Sequence, residues 1–450
     1  MGKKHTTALK FLCITVLVLF GAPKINIKIG PLPLYLIDFL IFLTVYHARK
    51  LPKLSYKLPY KSLVSFILFM MLTNEFLNGL GIGTLIQPIY LMVRISLAVS
   101  LFFVVPRIIR KPENLIKVLK YGLVGAFITA LLLIFSSLPM TRGISIILLS
   151  NPILTPNAVS LSSSILEAGK SGIRGSSLIG VSILSGAFLN VIWPLLFLLL
   201  TFFKPKGILK YVLFATLVLA PIGVIMTYSR GAILATILVV IGIVIFQKGN
   251  YRFLIIGLLV SGYIGFSFIG FDSELFMFDR ITERTTAALE NPYEDERESE
   301  RIEAYTQPFE HVLNQPLYLF LGEGFARAKV SGTSDLSGGI NRADHAVFAK
   351  AYYAYGLITS FLIVFLFFFL ANYTFKLIRK TSNSKLFSAK LTRLLFVLLI
   401  GFSSWFAFGH AAVSNPRGTM LMFFVFGLVA SQRNFYLFEQ QTNSKTHNSQ

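Results

Sequence analysis

Long apolar runs recur along almost the whole chain, separated by short segments rich in Lys and Arg. A helix needs roughly 20 apolar residues to cross a hydrocarbon core. On that measure the pattern predicts twelve spans: Ala8–Ala22, Leu32–Tyr46, Ser62–Leu80, Leu85–Val105, Tyr121–Leu138, Ser176–Phe203, Tyr211–Thr227, Gly231–Phe246, Phe253–Phe271, Ala346–Phe375, Leu394–Ala412 and Gly418–Ala430. The first, second and last runs are short. The first also has the make-up of a signal peptide, with Lys3 and Lys4 ahead of an apolar core. It lacks a small-x-small cleavage site and leads at once into further spans, so it reads as a helix.

One polar segment is long. Asp272–His345 has 74 residues, with 7 Lys+Arg against 15 Asp+Glu. It exceeds a bare connection and reads as functional. Within it, Glu294–Asn314 has helical periodicity, with Ile302, Tyr305, Phe309, Val312 and Leu313 on one side. Pro308 suits a helix start or a kink, and Ser331–Gly339 is Gly/Ser-rich, as mobile loops are. A second outer loop, about Pro139–Gly175, is mildly apolar and fits an interfacial or re-entrant segment. The expected architecture is an all-α polytopic membrane protein of about 12 transmembrane helices. Residues 1–450 form a single transmembrane domain, and 272–345 form an extracytoplasmic loop subdomain between the ninth and tenth helices.

Composition agrees. The chain is 54% hydrophobic and 14% charged, whereas a soluble domain carries about 25% charged residues. An ordinary cytosolic enzyme is therefore excluded, and the apolar content excludes disorder. The single Cys13 lies inside an apolar run, which rules out disulfides within the chain and cysteine metal sites. The net charge of +22 would suggest nucleic acid if it formed one patch. It does not. With the N-terminus in the cytoplasm, alternate loops hold 26 of the 42 Lys+Arg, opposed only by Glu113 and Glu439. That is the positive-inside pattern. It implies affinity for anionic lipid head groups, needs no nucleic acid, and places both termini inside and Asp272–His345 outside.

Three outer-side residues could carry chemistry. Arg230 sits in Thr227–Gly231, Thr-Tyr-Ser-Arg-Gly, between two spans. An arginine at a membrane is costly and suggests function, although snorkelling to the interface is the plainer reading. Arg301 lies in Glu-Arg-Ile-Glu ahead of Leu321-Gly322-Glu323-Gly324-Phe325; on spacing alone a solvated helix face with local ion pairs explains it better. His345 opens the tenth span, where a lone His is usually a cap or an interfacial residue. Their company changes the weighing, because all three fall on one side of the membrane. A guanidinium binds phosphate oxygens bidentately, and an imidazole takes a proton near neutral pH, which suits base catalysis beside a phosphate-bearing substrate. Arg94, near the middle of the fourth span, must face protein, water or phosphate, and Asp38 in the second span is a candidate partner. Arg142, Arg174 and Arg417 could add to an anion-attracting vestibule or meet lipid phosphates. The sequence has no Gly-rich phosphate loop, zinc helix motif or serine elbow.

Taken in order, these segments resemble the O-antigen ligase and O-antigen polymerase superfamily of bacterial polysaccharide assembly. Tyr228–Ala232 opens a span as the family's Ser-Arg-Gly segment does. Arg301, with the Leu321–Phe325 turn beyond it, looks like the family's outer-loop arginine and Gly-x-Gly turn. His345, ahead of Gly356, Thr359 and Ser360, is similar to the ligase histidine motif. The likeness spans about Gly207–Ala430. It implies a metal-independent glycosyltransferase of the C-type fold, without cofactor, in the bacterial inner (cytoplasmic) membrane and active on its periplasmic face. Its partners would be an undecaprenyl-pyrophosphate-linked oligosaccharide and membrane lipid, with a chain-length regulator a further partner the resemblance allows. Arg230 and Arg301 would hold the pyrophosphate, with Arg174, Arg94 and Arg417 as further substrate-binding residues, and His345 would be the base or acceptor orienter. Ligases usually carry Asn, Ser or Gln after the histidine. Ala346 stands there, which favours a polymerase that joins O-antigen, capsule or exopolysaccharide repeat units. A ligase acting on lipid A–core remains the near alternative. A lipid-linked oligosaccharide flippase is the alternative of another class, although no related halves are evident.

Overall fold

In hydrocarbon every backbone polar group must be satisfied within its own segment, so apolar runs of this length become helices. A computed structural model describes residues 3–22, 25–29, 32–83, 85–137, 141, 177, 182–203, 205–227, 229–246, 309–310, 312–322, 324, 347–380, 386–408 and 416–447. Among them the chain runs α1 (Lys3–Gly21), β1 (Asn26–Ile29), β2 (Leu32–Tyr35), α2 (Leu36–Arg49), α3 (Lys61–Ile82), α4 (Ile86–Ile108), α5 (Pro112–Ser137) and α6 (Ser182–Leu198, ending in a π-turn, Leu199–Phe203). It continues with α7 (Ile208–Ile225), α8 (Arg230–Phe246), a 3-10 turn (Pro316–Leu319), α9 (Val347–Lys380), α10 (Phe387–Phe408) and α11 (Pro416–His447). Eight of the described helices are long and apolar enough to cross a membrane, and α8 is a shorter apolar helix. The protein is an all-α polytopic membrane protein.

Three elements differ from the expected spans. The run expected as a helix over Leu32–Tyr46 opens as a strand: β1 and β2 form an antiparallel hairpin, with Asn26 opposite Tyr35 and Ile29 opposite Leu32. Apolar residues alternate at 25, 27 and 29 and at 32 and 34, and Gly30-Pro31 is a turn dipeptide. The helix starts only at Leu36 and has 14 residues. The tenth expected span is broken, since Gly356 in α9 has φ 82° and ψ 166°. The last run, read as short, belongs to a 32-residue helix. The ninth run, Phe253–Phe271, lies outside the described residues, as do Ser331–Gly339 and almost all of Pro139–Gly175.

Contacts between helix ends sort the bundle into two poles. At one, His5 at the start of α1 bonds the Ile108 carbonyl ending α4 at 3.0 Å, and Asn434 of α11 donates to Pro106 and Ile109 carbonyls at 2.7 and 2.9 Å. Lys120 of α5 and Lys390 of α10 lie over Phe203 and Phe202, at the end of the π-turn. Basic residues crowd this pole. At the other lie Ala22, Tyr35, Asp38, Asn74, Arg94 and Arg417. Phe246 stacks edge-on with Phe396, while Gly401 meets Val239 and the Ala235 carbonyl, so α8 and α10 run antiparallel. Arg230 therefore starts α8 at the second pole. The chain leaves α8 at the basic pole and enters α9 from the opposite one.

The core is close-packed aliphatic and aromatic contact, with Phe20, Phe102, Phe188, Phe423, Phe424 and Phe426 fully buried. Without a hydrophobic drive between helices in lipid, small residues let backbones approach. A Cβ on Gly21 of α1 would stand 2.4 Å from the Cα of Gly125 in α5.

Candidate functional site

The pole opposite the basic one holds three polar centres. The first gathers around Asp38, in the first turn of α2. Arg94 reaches it from α4, with Nε 2.8 Å from Asp38 Oδ2, and both residues are buried. The Arg94 guanidinium also lies 4.4 Å from the Tyr35 ring and 5.4 Å from Tyr90, cation–π geometry that offsets part of its lost hydration. Arg417, buried in the first turn of α11, donates to the Ala22 carbonyl at 3.0 Å and lies within electrostatic reach of Asp38 and Arg94. A lone arginine in a span is too costly to persist. Among the described residues, Asp38 thus has one guanidinium in contact, that of Arg94, and a second, that of Arg417, within electrostatic reach.

The second centre is the turn that launches α8. Thr227 Oγ1 donates to the Val224 carbonyl at 2.6 Å and accepts from the Ser229 amide at 3.3 Å. Ser229 in turn accepts from the Ala232 amide through Oγ and from the Ile233 amide through its carbonyl. Ser229 is thus the N-cap of α8, and Arg230 is its first helical residue. Asn190 of α6 donates to the Ala232 carbonyl at 2.8 Å and accepts from Thr236 at 2.7 Å, which locks the first turn of α8 onto α6. The positive end of the helix dipole and the position of Arg230 coincide.

The third centre was not foreseen. At Gly356 the ladder of α9 breaks and frees carbonyls. Asn74 of α3 supplies the partner, donating from Nδ2 toward the Tyr355 and Phe320 carbonyls, each at 3.3 Å, and accepting the Gly322 amide on Oδ1 at 2.7 Å. Asn78, one turn on, donates to the Gly322 carbonyl at 2.8 Å. Ser360 returns a bond to the Gly356 carbonyl at 3.1 Å. The Gly322 turn thus lies backbone to backbone on the break: a Cβ at Gly322 would stand 2.3 Å from the Ala354 carbonyl carbon, and one at Gly356 2.7 Å from that of Phe320. Glu75, next to Asn74, is fully buried. The available signal was Asn74-Glu75-x-x-Asn78 inside an apolar run, polar side chains on one helical face that hydrocarbon would not tolerate unpartnered.

Of the residues singled out in the sequence, Arg94 and Arg417 are brought together and Arg230 is placed at a capped helix start. Arg301, Arg174, Arg142 and His345 lie outside the described residues, as does the side chain of Arg230. Among the described residues no three His, Cys, Asp or Glu side chains gather to hold a metal ion.

A polytopic helical protein with buried arginines and a clamped glycine turn at one pole is the class these observations define. Residues 215–364 match the family model described as O-antigen ligase. Over this stretch, less than half of the chain, the protein is similar to that family. The match runs from α7 through Arg230, the long polar segment, the Gly322 turn and His345 to just past the Gly356 break. No curated protein matches the chain.

Proposed function

We propose that this protein is a membrane glycosyltransferase that takes glycan from undecaprenyl pyrophosphate and extends an O-antigen, capsule or exopolysaccharide chain. What carries the reading is one coincidence. The family match holds Arg230, Arg301 and His345, and Arg230 starts α8 at the pole where Arg94 and Arg417 are buried. The basic pole is cytoplasmic on the positive-inside rule. The site then faces the outer leaflet of a bacterial inner membrane, and 272–345 is its loop subdomain.

In the proposed reaction an acceptor hydroxyl attacks the anomeric carbon of the donor. The bond from that carbon to the pyrophosphate oxygen breaks, and its electron pair stays on the pyrophosphate. His345 takes the hydroxyl proton. Arg230 and Arg301 neutralise the charge that grows on the leaving group, which is stabilisation where charge develops. Arg94 and Arg417, with Arg174, add positive potential that draws the donor head group to this pole. The chemistry needs no nucleotide and no metal.

Transfer of a finished glycan to lipid A–core is the second reading, supported by the description of the matched family. Ala346 after the histidine favours polymerisation. Deletion of the chromosomal copy, read by polysaccharide gel, separates the readings. Lipid A–core capped with a single repeat supports a polymerase. Long chains stranded on undecaprenyl pyrophosphate indicate a ligase, and repeat units trapped in the cytoplasmic leaflet indicate a flippase. A His345→Ala copy that reaches the membrane yet restores a normal ladder would overturn the base role.

A further inference from the structure

Phe309–Phe320, just ahead of the clamped Gly322 turn, has three distinct sides. Val312, Tyr318 and Leu319 pack with Phe348 on Tyr352, Tyr353 and Leu357 of α9. Glu310, Asn314 and Gln315 are exposed and polar. The third side is exposed and apolar: Phe309 is 47%, Leu313 82%, Leu317 70% and Phe320 53% accessible. Large apolar side chains exposed this close together form a stripe rather than scattered surface residues.

The stripe continues into the faces that α9 and α3 present outward. The Phe309 ring lies 6.3 Å from Phe361, which also meets Phe348 at 5.2 Å and Phe365 at 6.3 Å. Phe361, Val364, Phe365 and Phe368 are exposed on a membrane-spanning helix, as are Phe69, Phe76, Leu77 and Leu80 on α3, whose Asn74 holds the Phe320 carbonyl. Depth agrees as well. From Phe361 to Lys380, and from Lys61 to Leu80, is about 28 Å of helix, close to a hydrocarbon thickness of about 30 Å. Phe309, whose ring lies beside Phe361, therefore sits near the level where hydrocarbon gives way to head groups, and Phe320, held by Asn74 about 20 Å along α3 from Lys61, sits within the hydrocarbon.

We infer that Phe309–Phe320 is a membrane-contact element, whose Phe309, Leu313, Leu317 and Phe320 side chains enter the acyl region of the bilayer while Glu310, Asn314 and Gln315 face water. The occupant of the stripe is lipid, because the stripe is continuous with the exposed apolar faces of two membrane-spanning helices and lies between head-group and acyl depth. Amphipathic segments of this kind bind bilayers by buried apolar area. The element fastens the limb of chain next to the Gly322 turn to the leaflet at the pole of the arginines. The assignment stands without the donor reading.

The test uses the full-length protein in phosphatidylethanolamine and phosphatidylglycerol vesicles, on a Cys13→Ser background. Single cysteines replace Leu313, Leu317, Glu310 or Asn314 and carry a bimane fluorophore. Leu313 and Leu317 are so exposed that cysteine there removes little packing. Doxyl lipids labelled near the head group should quench bimane at 313 and 317 several-fold more than at 310 and 314, and aqueous iodide should show the reverse order. Equal iodide quenching at all four positions would overturn the assignment. So would shielding of 313 and 317 from both quenchers, since protein rather than lipid would then cover the stripe.

Discussion

Replacing Gly322 with Ala tests whether the glycine turn is held against α9 as described. The added methyl would meet three backbone atoms of α9: the Ala354 carbonyl carbon at 2.3 Å, the Tyr355 nitrogen at 2.4 Å and the Tyr353 oxygen at 2.5 Å. None belongs to a side chain that could rotate away. Relief requires the turn to lift by about 1 Å, because non-bonded carbons settle near 3.5 Å or more. Overpacking of this kind costs about 1–3 kcal/mol. Lifting also stretches the bonds from the Gly322 amide to Asn74 and from Asn78 to the Gly322 carbonyl, each contributing about 1 kcal/mol. Stiffening of the unfolded chain by Ala returns about 0.4–1 kcal/mol. The net is about 3 kcal/mol, roughly a hundred-fold fall in the docked population of the turn.

Protein purified in detergent would show this as faster proteolytic cutting near the turn, and the glycan ladder in cells would shorten. The control is Gly81→Ala. A Cβ at Gly81 meets nothing within 4 Å, and alanine is the better helix former by about 1 kcal/mol. Cutting rates and ladders for Gly322→Ala that match those of Gly81→Ala would refute the close approach of turn and helix.

Asp38→Asn leaves Arg94 and Arg417 buried without their carboxylate, and breaking a buried pair costs about 3–5 kcal/mol. Asp38→Asn with Arg94→Gln should recover part of the lost thermal stability, and a double variant worse than the sum would contradict the pairing. Arg230→Lys keeps the charge but loses the planar fork, so most glycan extension should disappear while the protein stays in the membrane; a normal ladder would mark Arg230 as an interface anchor. Turnover by purified protein on lipid-linked substrate should persist in EDTA, and loss of turnover restored by a divalent cation would contradict the proposed chemistry.

The described helices were legible because hydrocarbon imposes a simple rule on composition. The hairpin was hidden by the same rule. Leu32 to Tyr35 is apolar enough to join the run that follows, and only the alternation from Ile25 on and Gly30-Pro31 betray a strand. The Asp38–Arg94 pair could be anticipated, since opposite buried charges in neighbouring spans need each other, but nothing local in Arg417 says that the start of α11 lies within electrostatic reach of the same carboxylate. Gly356 was invisible as a break because a single glycine is tolerated inside an apolar helix. Its meaning depends on Asn74, which lies 282 residues earlier in the chain and supplies hydrogen bonds the interrupted helix cannot make for itself. Motif and clamp are therefore one device read from two ends. Gly322 and Gly356 allow two backbones to touch, and the asparagines of α3 satisfy polar groups that such contact leaves without helical partners. It follows that Asn74, which stands outside the family match, governs the turn inside it.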